Sequence, residues 1–429
     1  MTRTRATVAA VAALALVPLS ACGGSAAEAE ELRGSSSFEP VDPQSVPLAT
    51  IESVRRASEE LGVRMMAAGE EGANAVVSPA STTMAFAMLA PGASGEGEAE
   101  LTRLLGAGPT EVTSAVGALR VRLGEWEGDP ANFDPAEVPD APFLHVANRA
   151  VIDDGFEVHA DYLDALSRYS DAGITTADLA AAETKQILDE WVNHHTAGLV
   201  EESAVEPDPL LELVLQNAVL FGARWERVFD EQSTMRRPFT TGAGEVVEAD
   251  AMHGLFDVAY AESDGWSAIA LPYTDGFQAM FALPPEGTDP LEGDPAGTVA
   301  VLARLEAALR ETAPAQVQVQ IPVLDTSAES DIVPVLRDLG YSAIFDPAAQ
   351  PFAGITDSEL VVTGAAQQAV LRVNEEGTVA AAVTEVMAGA TSLPTPAHEF
   401  VADRPFVMTV FELDYGWDIF QATIRDPRT

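Results

Sequence analysis

Near the C-terminal end of the chain, every second residue from Thr378 (Thr378, Ala380, Ala382, Thr384, Val386, Ala388 and Ala390) is small and uncharged. In a strand, alternate side chains share a face. One face of this segment could therefore slide beneath a packed surface while Glu385 and Met387, on the other face, stay near solvent. No proline occurs from 377 to 393, so nothing forbids ladder hydrogen bonds there. An alanine-rich helix is the competing reading of Thr378–Ala382, because alanine has the best helix propensity, and a flexible linker is another. The β-branched Val379, Val383, Thr384 and Val386 favour the strand, and Gly377 suits a hinge better than a helix interior. From the residues alone both readings stay open.

Residues that would perform turnover chemistry are missing. The chain has no H-E-x-x-H, G-x-S-x-G or G-x-x-x-x-G-K motif. Cys22 is its single cysteine, which excludes an intramolecular disulfide, a cysteine metal cluster and a two-cysteine redox site. His194 and His195 are adjacent, so on a helix they point about 100° apart and would not readily share one metal. The expectation is one surface and one half-buried histidine. Lys185, the single lysine, lacks a glycine-rich loop and reads as a solvated surface residue. With 67 carboxylates in the chain, a chance acidic pair carries no information. No cofactor is called for.

The elements that would carry the strand-like segment can be read from periodicity. Ile51, Val54, Leu61 and Met65 fall at helical spacing. Ser78-Pro79 reads as a helix start, with a serine cap and proline at the first position. Ser94 is expected to cap a helix holding Leu101, Leu104 and Leu105 and stopped by Gly106, and Thr110 to cap another. Residues 126–142, with four prolines, read as a surface loop. Phe143–Ile152 is strand-like, and Ile187, Leu188, Trp191, Val192 and His195 share one helical face. Leu213–Phe221 is nearly unbroken apolar sequence, as in a strand covered on both faces. Asp275-Gly276 predicts a hairpin turn, and Val317, Val319 and Ile321 alternate with glutamines. Phe406–Leu413 and Trp417–Ile424 flank a C-terminal turn at Asp414-Tyr415-Gly416. Helices dominate the first half and strands the second, which predicts an α+β domain with large, mostly antiparallel sheets.

The first residues are set apart from this domain. Arg3 and Arg5 precede an apolar run from Ala6 to Leu19, which has the form of a signal peptide. The run ends in Leu19-Ser20-Ala21-Cys22-Gly23, which looks like a bacterial lipobox with Cys22 as the lipidated residue. An ordinary secretory signal that contains a cysteine is the alternative. The division expected is a signal at 1–21, a flexible Gly/Ser/Ala/Glu/Pro tether at 22–48 and one domain over 49–429. The formal net charge of −44 argues against nucleic acid and anionic membranes as partners, leaving membrane attachment only through a lipid at Cys22.

Several segments, in order over roughly residues 50–427, resemble those of the serpins. They include Asn74-Ala75-Val76-Val77-Ser78-Pro79-Ala80-Ser81, the Leu215–Trp225 segment with Asn217-Ala218 and Phe221, Leu271-Pro272-Tyr273, Leu283-Pro284, Ala402-Asp403-Arg404-Pro405-Phe406 and the closing Asp426-Pro427. Pro91-Gly92-Ala93-Ser94-Gly95-Glu96 is similar to a further family segment. Asn374-Glu375-Glu376-Gly377-Thr378-Val379-Ala380-Ala381-Ala382-Val383-Thr384 resembles the hinge of an inhibitory serpin. The resemblance implies a serpin-like α+β fold with an exposed reactive-centre loop, running from Glu375 to about Pro396. It implies a single-use, monomeric inhibitor rather than an enzyme, whose partner is a serine protease, with cysteine proteases as a second partner class. The protease acylates the loop, and the cut loop then enters a sheet as a new strand.

Counting from the hinge as the family does puts the scissile bond at Thr391–Ser392. The C-terminal side disagrees by about three residues, which leaves Met387 and Leu393 as alternatives. No lysine or arginine lies between Arg372 and Arg404, so trypsin-like targets are disfavoured against elastase-like, subtilisin-like or chymotrypsin-like ones. By the same resemblance Ser78, Ser81 and Asn217 lie where the receiving sheet opens, and Trp225 lies near the loop's entry. Gln367-Gln368 replace a common His-Lys pair, Val379 and Val383 replace a common glutamate and alanine on the outward face, and Arg224 stands for a common lysine. A non-inhibitory serpin-like surface lipoprotein acting as a binding module is the alternative function.

An acidic surface with one lysine suits concentrated salt. The midpoint of thermal unfolding is therefore expected to rise between low and molar sodium chloride; an unchanged midpoint in a salt series would overturn that reading of the charge.

Overall fold

The computed structural model describes residues 29–70, 72–378 and 396–429. In the first half the chain forms β1 (Glu30–Leu32), α1 (Leu48–Ala67), β2 (Ala75–Val77), α2 (Pro79–Leu89), α3 (Gly95–Leu105) and α4 (Pro109–Leu123). It continues through β3 (Phe143–Asp153), α5 (Ala160–Ser170), β4 (Ile174–Ala177), α6 (Thr184–His195) and β5 (Leu213–Arg224). Strands then prevail: β6 (Met235–Thr240), β7 (Val246–Val258), β8 (Tyr260–Ser263), β9 (Trp266–Pro272) and β10 (Phe277–Leu283). Next come α7 (Pro295–Glu311), β11 (Ala315–Pro322), β12 (Leu324–Asp331) and α8 (Ile332–Asp338). The chain closes with β13 (Val362–Val373), β14 (Gly377–Thr378), β15 (His398–Val401), β16 (Phe406–Glu412) and β17 (Asp418–Ile424).

Local sequence accounts for many of these boundaries. Ser78 caps α2, its hydroxyl accepting from the Ser81 N–H at 3.4 Å, and Pro79 occupies the first helical position. Gly106 ends α3 in the left-handed region at φ 77°. Gly276 (φ 62°) and Gly416 (φ 67°) sit in the turns joining β9 to β10 and β16 to β17. Two expected caps differ. Thr110 lies inside α4, because Pro109 takes the first position and Gly108 the cap. The Ser94 hydroxyl precedes α3 but donates to the Gln350 carbonyl at 2.6 Å and accepts from the Ala353 N–H at 3.2 Å, tying the helix start to a distant loop.

The segment expected to be a flexible tether is held to the body from Glu30 onward. Residues Glu30–Leu32 pair antiparallel with β4. The Gly34 N–H reaches the Ser167 hydroxyl at 2.9 Å, the Ser36 N–H reaches Asp164 Oδ1 at 3.1 Å, and the Glu39 N–H reaches the Arg168 carbonyl at 2.8 Å. Its small polar residues supply little apolar surface, but their backbone groups find acceptors on α5. The 126–142 loop likewise buries Trp126, Phe133 and Val138.

Three sheets result, ordered β1-β4-β3-β5-β14-β13-β12, β2-β17-β16-β10-β9-β8 and β15-β11-β7-β6. Strand β5 is buried along its length except at Arg224. Leu213, Leu215, Val219 and Phe221 join the main core, whereas Val214 packs with Leu188 of α6 and Leu220 with Phe133. Cover on both faces explains the unbroken apolar run.

One buried acidic cluster sets a pH dependence for the whole fold. Asp418 of β17 is buried and accepts from Gln421 Nε2 at 2.6 Å, with Glu59 of α1 and Glu306 of α7 nearby. Burial, with the charges of Glu59 and Glu306, raises the Asp418 carboxyl well above the ordinary range. Burial pushes Glu59 up to about 7, against the opposing pull of Arg55. The folded protein therefore keeps protons that an unfolded carboxyl would release near pH 4. The contribution of this cluster to stability is fully present below that pH and is lost as pH rises through about 7. Unfolding titrations should show this fall between pH 5 and 8, and Asp418→Asn should flatten it; a fall of equal size in the variant would remove Asp418 from the cause.

Candidate functional site

Strands β5 and β13 lie side by side but are joined along only part of their length. They pair in parallel from Val362↔Leu213 to Gln368↔Ala218. Beyond Gln368 they diverge, and Val219, Leu220, Phe221, Val370 and Arg372 line a narrow cleft between them. At the far end of that cleft β14 is wedged in. Gly377 pairs with Arg224 and Thr378 with Ala223, both antiparallel, while Thr378 also pairs with Val373 of β13. A Cβ on Gly377 would lie 2.1 Å from the Ala223 carbonyl oxygen, so the close approach requires glycine. Thr378 is buried and its hydroxyl lies 2.6 Å from the Tyr273 hydroxyl. Thr378 thus faces the interior.

The turn leading into β14 is fixed from several sides. Asn374 Oδ1 accepts from the N–H groups of Glu376 and Gly377, each at 3.0 Å, and the Asn374 N–H donates to the Gly377 carbonyl at 2.9 Å. The Glu376 and Glu375 carbonyls accept from the N–H groups of Trp225 and Phe229, both at 2.8 Å. Trp225 Nε1 donates to the Asn374 carbonyl at 3.0 Å, and its ring stacks on Tyr273 at 4.3 Å. Thr234 Oγ1 donates to the Glu375 carboxylate, and Arg224 lies 3.4 Å from that of Glu376. Charged anchors are thus confined to Glu375 and Glu376, while Gly377 and Thr378 are held by neutral groups.

A second polar cluster closes the other end of the cleft. The Ser78 N–H donates to Gln367 Oε1 at 2.6 Å. Gln367 Nε2 lies 3.0 Å from the Ser78 carbonyl, 3.0 Å from Thr82 Oγ1 and 2.8 Å from Asn217 Oδ1. Asn217 Nδ2 in turn donates to the Ser81 hydroxyl and to Asn148 Oδ1. One glutamine therefore joins the start of α2 to both β5 and β13. Gln368, on the opposite face, donates to the Glu202 carbonyl at 2.7 Å.

Of the residues expected at this site, Ser78, Ser81 and Asn217 converge on Gln367, whereas Trp225 stands at the other end with Glu375, Glu376, Gly377 and Thr378. Val379, Ala380, Ala381, Ala382, Val383, Thr384, Met387, Thr391, Ser392, Leu393 and Cys22 lie outside the described residues. Sequence reasoning missed Asn148 and Thr82 in the cluster and Asn374 in the turn. Strand β3 also carries His145 and Arg149, so no local signal set Asn148 apart. His194 is exposed and His195 half-buried, as expected, but His195 Nδ1 bonds His145 Nε2 at 2.8 Å. Burial beside His145 pushes His195 down to about 4, leaving it neutral at physiological pH. Lys185 is not a solvated residue: it is half-buried, 3.0 Å from Asp189 and 3.1 Å from Glu206, and ties α6 to the following loop.

Comparison with known proteins shows where this geometry belongs. The model of the serpin family, described as serine protease inhibitors, matches residues 57–427. This chain belongs to the serpin family. Iripin-3 of Ixodes ricinus is 29% identical over 369 residues, covering 82% of this chain and 90% of that protein. An uncharacterised serpin-like protein of Methanosarcina mazei is 27% identical, covering 82% of each. Among solved structures, the native state of the thermophilic serpin tengpin has a TM-score of 0.78 at 21% identity, over 93% of this chain and all of that one. Human thyroxine-binding globulin has a TM-score of 0.74 at 23% identity, over 89% of this chain and 99% of that one. The α+β fold with large sheets is the serpin fold.

Gln367→Ala tests what holds this serpin's sheet closed. The substitution leaves buried groups of Ser78, Thr82 and Asn217 without their partner, and should cost about 2–4 kcal/mol in denaturant unfolding. A loss below about 0.5 kcal/mol would mean that the cluster does not hold the strands.

Proposed function

We propose that this serpin is a suicide-substrate inhibitor of extracellular serine proteases of elastase-like, subtilisin-like or chymotrypsin-like specificity. The observation that carries the reading is the seat of Gly377–Thr378 between β5 and β13. Continuing that antiparallel register, two residues forward against two back, sets Ala380 opposite Phe221 and Leu371. It sets Ala382 opposite Val219 and Ala369, and Thr384 opposite Asn217 and Gln367. Each arriving inward residue is small. The strand would fill the cleft first and then reach the Gln367–Asn217 contact, which must part for insertion to go further. The two valines that depart from the family pattern, Val379 and Val383, fall on the outward face of this register.

The chemistry is that of the protease. Its serine attacks the bait carbonyl and forms an acyl-enzyme, releasing the C-terminal side of the loop. The freed strand zips into the cleft and carries the acylated protease with it, before water can complete deacylation. Each unpaired backbone edge of the cleft gains a partner, which supplies the driving force. The reading places the bond at Thr391–Ser392, with Met387 and Leu393 as alternatives for the cleaved residue, and the absence of a basic residue between Arg372 and Arg404 disfavours trypsin-like targets. It also includes export as a monomer, with Cys22 as a lipid anchor.

Incubation with elastase-, subtilisin- and chymotrypsin-type proteases should give an SDS-stable complex with at least one, and none with trypsin. Mass spectrometry of the released peptide should find Ser392 as its first residue. Cleavage of the loop by every member of the panel without a stable complex would overturn inhibition in favour of a binding module. Cleavage N-terminal to Ala388 would overturn the register.

A further inference from the structure

A cavity of about 440 Å³ lies between β3, β4, α2, α4 and α6. Three arginines and two acids face it. Arg33 is 2.6 Å from Glu31 and 3.4 Å from Asp171, so one arginine engages both carboxylates. Arg120 and Arg149 remain. Arg120 donates from Nη1 to the Ser170 carbonyl. Arg149 donates to Gln216 Oε1 from Nε at 3.1 Å and to the Ile187 carbonyl from Nη2 at 3.3 Å, and it stacks over Trp191 at 5.0 Å. Neither has a carboxylate within ion-pair distance among the described residues. The bonds drawn leave Arg149 Nη1, and Arg120 Nε and Nη2, for another acceptor.

In a chain of net charge −44, two half-buried guanidinium groups with no carboxylate in ion-pair contact among the described residues are unexpected; Asp171 and Glu127 act on Arg120, and Glu31 on Arg149, only from farther off. Burial lowers both, Arg149 to about 10, which is the mark of a charge held at a cost. An oxyanion between them would offset that cost and supply bidentate acceptors. One part of the wall is apolar, with Met84 and Met88 from α2, Val116 from α4 and Val146 from β3, while Asn148, Ser170 and Thr175 add neutral polar groups. His195, neutral at physiological pH, adds no charge. Asn148, beside Arg149 on β3, bonds Asn217, so the cavity adjoins the cluster that joins β5 to β13.

We propose that this cavity binds a small organic anion, with a carboxylate or phosphate head on Arg120 and Arg149 and an apolar body against the methionine and valine wall. The site is independent of the loop and of the inhibitor reading.

Octanoate and phenyl phosphate are suitable probes, with octanol as the uncharged control. Calorimetry and thermal unfolding on the whole protein, at ionic strength held constant with chloride, should show saturable one-site binding of one or both anions. The arm that binds more tightly identifies the head group. Arg149→Gln and Arg120→Gln should each weaken binding roughly tenfold or more. Thermal unfolding without probe should show both variants folded, so that lost binding reports the site rather than the fold. The proposal is overturned if neither anion binds, if octanol binds as well as octanoate, or if both variants bind like the parent. Binding of a long sulfated polysaccharide alone would also sink it.

Discussion

Gly377 and Thr378 occupy one end of a space that the rest of a strand could fill. Strands β5 and β13 are joined at their lower end through Gln367 and Asn217 and held apart at their upper end by β14, and the cleft between follows from those two constraints together. Neither junction is strong by itself. A hydrogen bond contributes about 1 kcal/mol net, and β14 is only two residues long. What makes the arrangement persist is burial: Gln367, Asn217 and Thr378 are each nearly inaccessible, so a lost partner leaves a polar group that water cannot reach.

The elements around the cleft divide its work. Strand β5 is fixed on one side by β3, with an unbroken antiparallel register from Ile152↔Leu213 to Phe143↔Gly222. On the other side β13 is fixed by β12, from Leu324↔Val373 to Asp331↔Ala366. Each strand bordering the cleft is thus secured by its outer neighbour, which leaves the edges between them as the place where the sheet can change. Helix α6 lies over the sheet through Leu188 and Val192, and Lys185 ties it to the chain beneath. The hinge at Asn374–Glu376 is anchored ahead of β14, Glu376 buried beside Arg224 and Glu375 bonded to Thr234.

Charge is distributed with similar economy. Most buried or half-buried arginines have an acidic partner close by, as Arg425 has Asp289 at 2.7 Å and Arg122 has Glu412 at 3.0 Å. The acids of the Asp418 cluster and the arginines of the cavity depart from this in opposite directions. The first group lowers its burden by holding protons. Arginine cannot readily do so, which is why an unmatched pair of them carries more meaning than an unmatched acid.

The sequence by itself determined what repeats along the chain. The Ser78-Pro79 helix start, the doubly covered β5 and the turns at Gly276 and Gly416 were all legible, because each depends on neighbours within a few residues. The order of its motifs made the family legible too. Tertiary structure decided what joins distant segments. Gln367 meets Ser78 across 289 positions, and its value lies in bonding three elements at once, which no local pattern encodes. The segment after Glu30 looked like a tether because its composition is poor in apolar residues, yet its backbone groups, with Arg33, Val41 and Val46, dock it. Lys185 and the paired His145 and His195 were misjudged or missed for the same reason: burial and partners are properties of the folded neighbourhood, and a single polar residue carries no periodic signal of either.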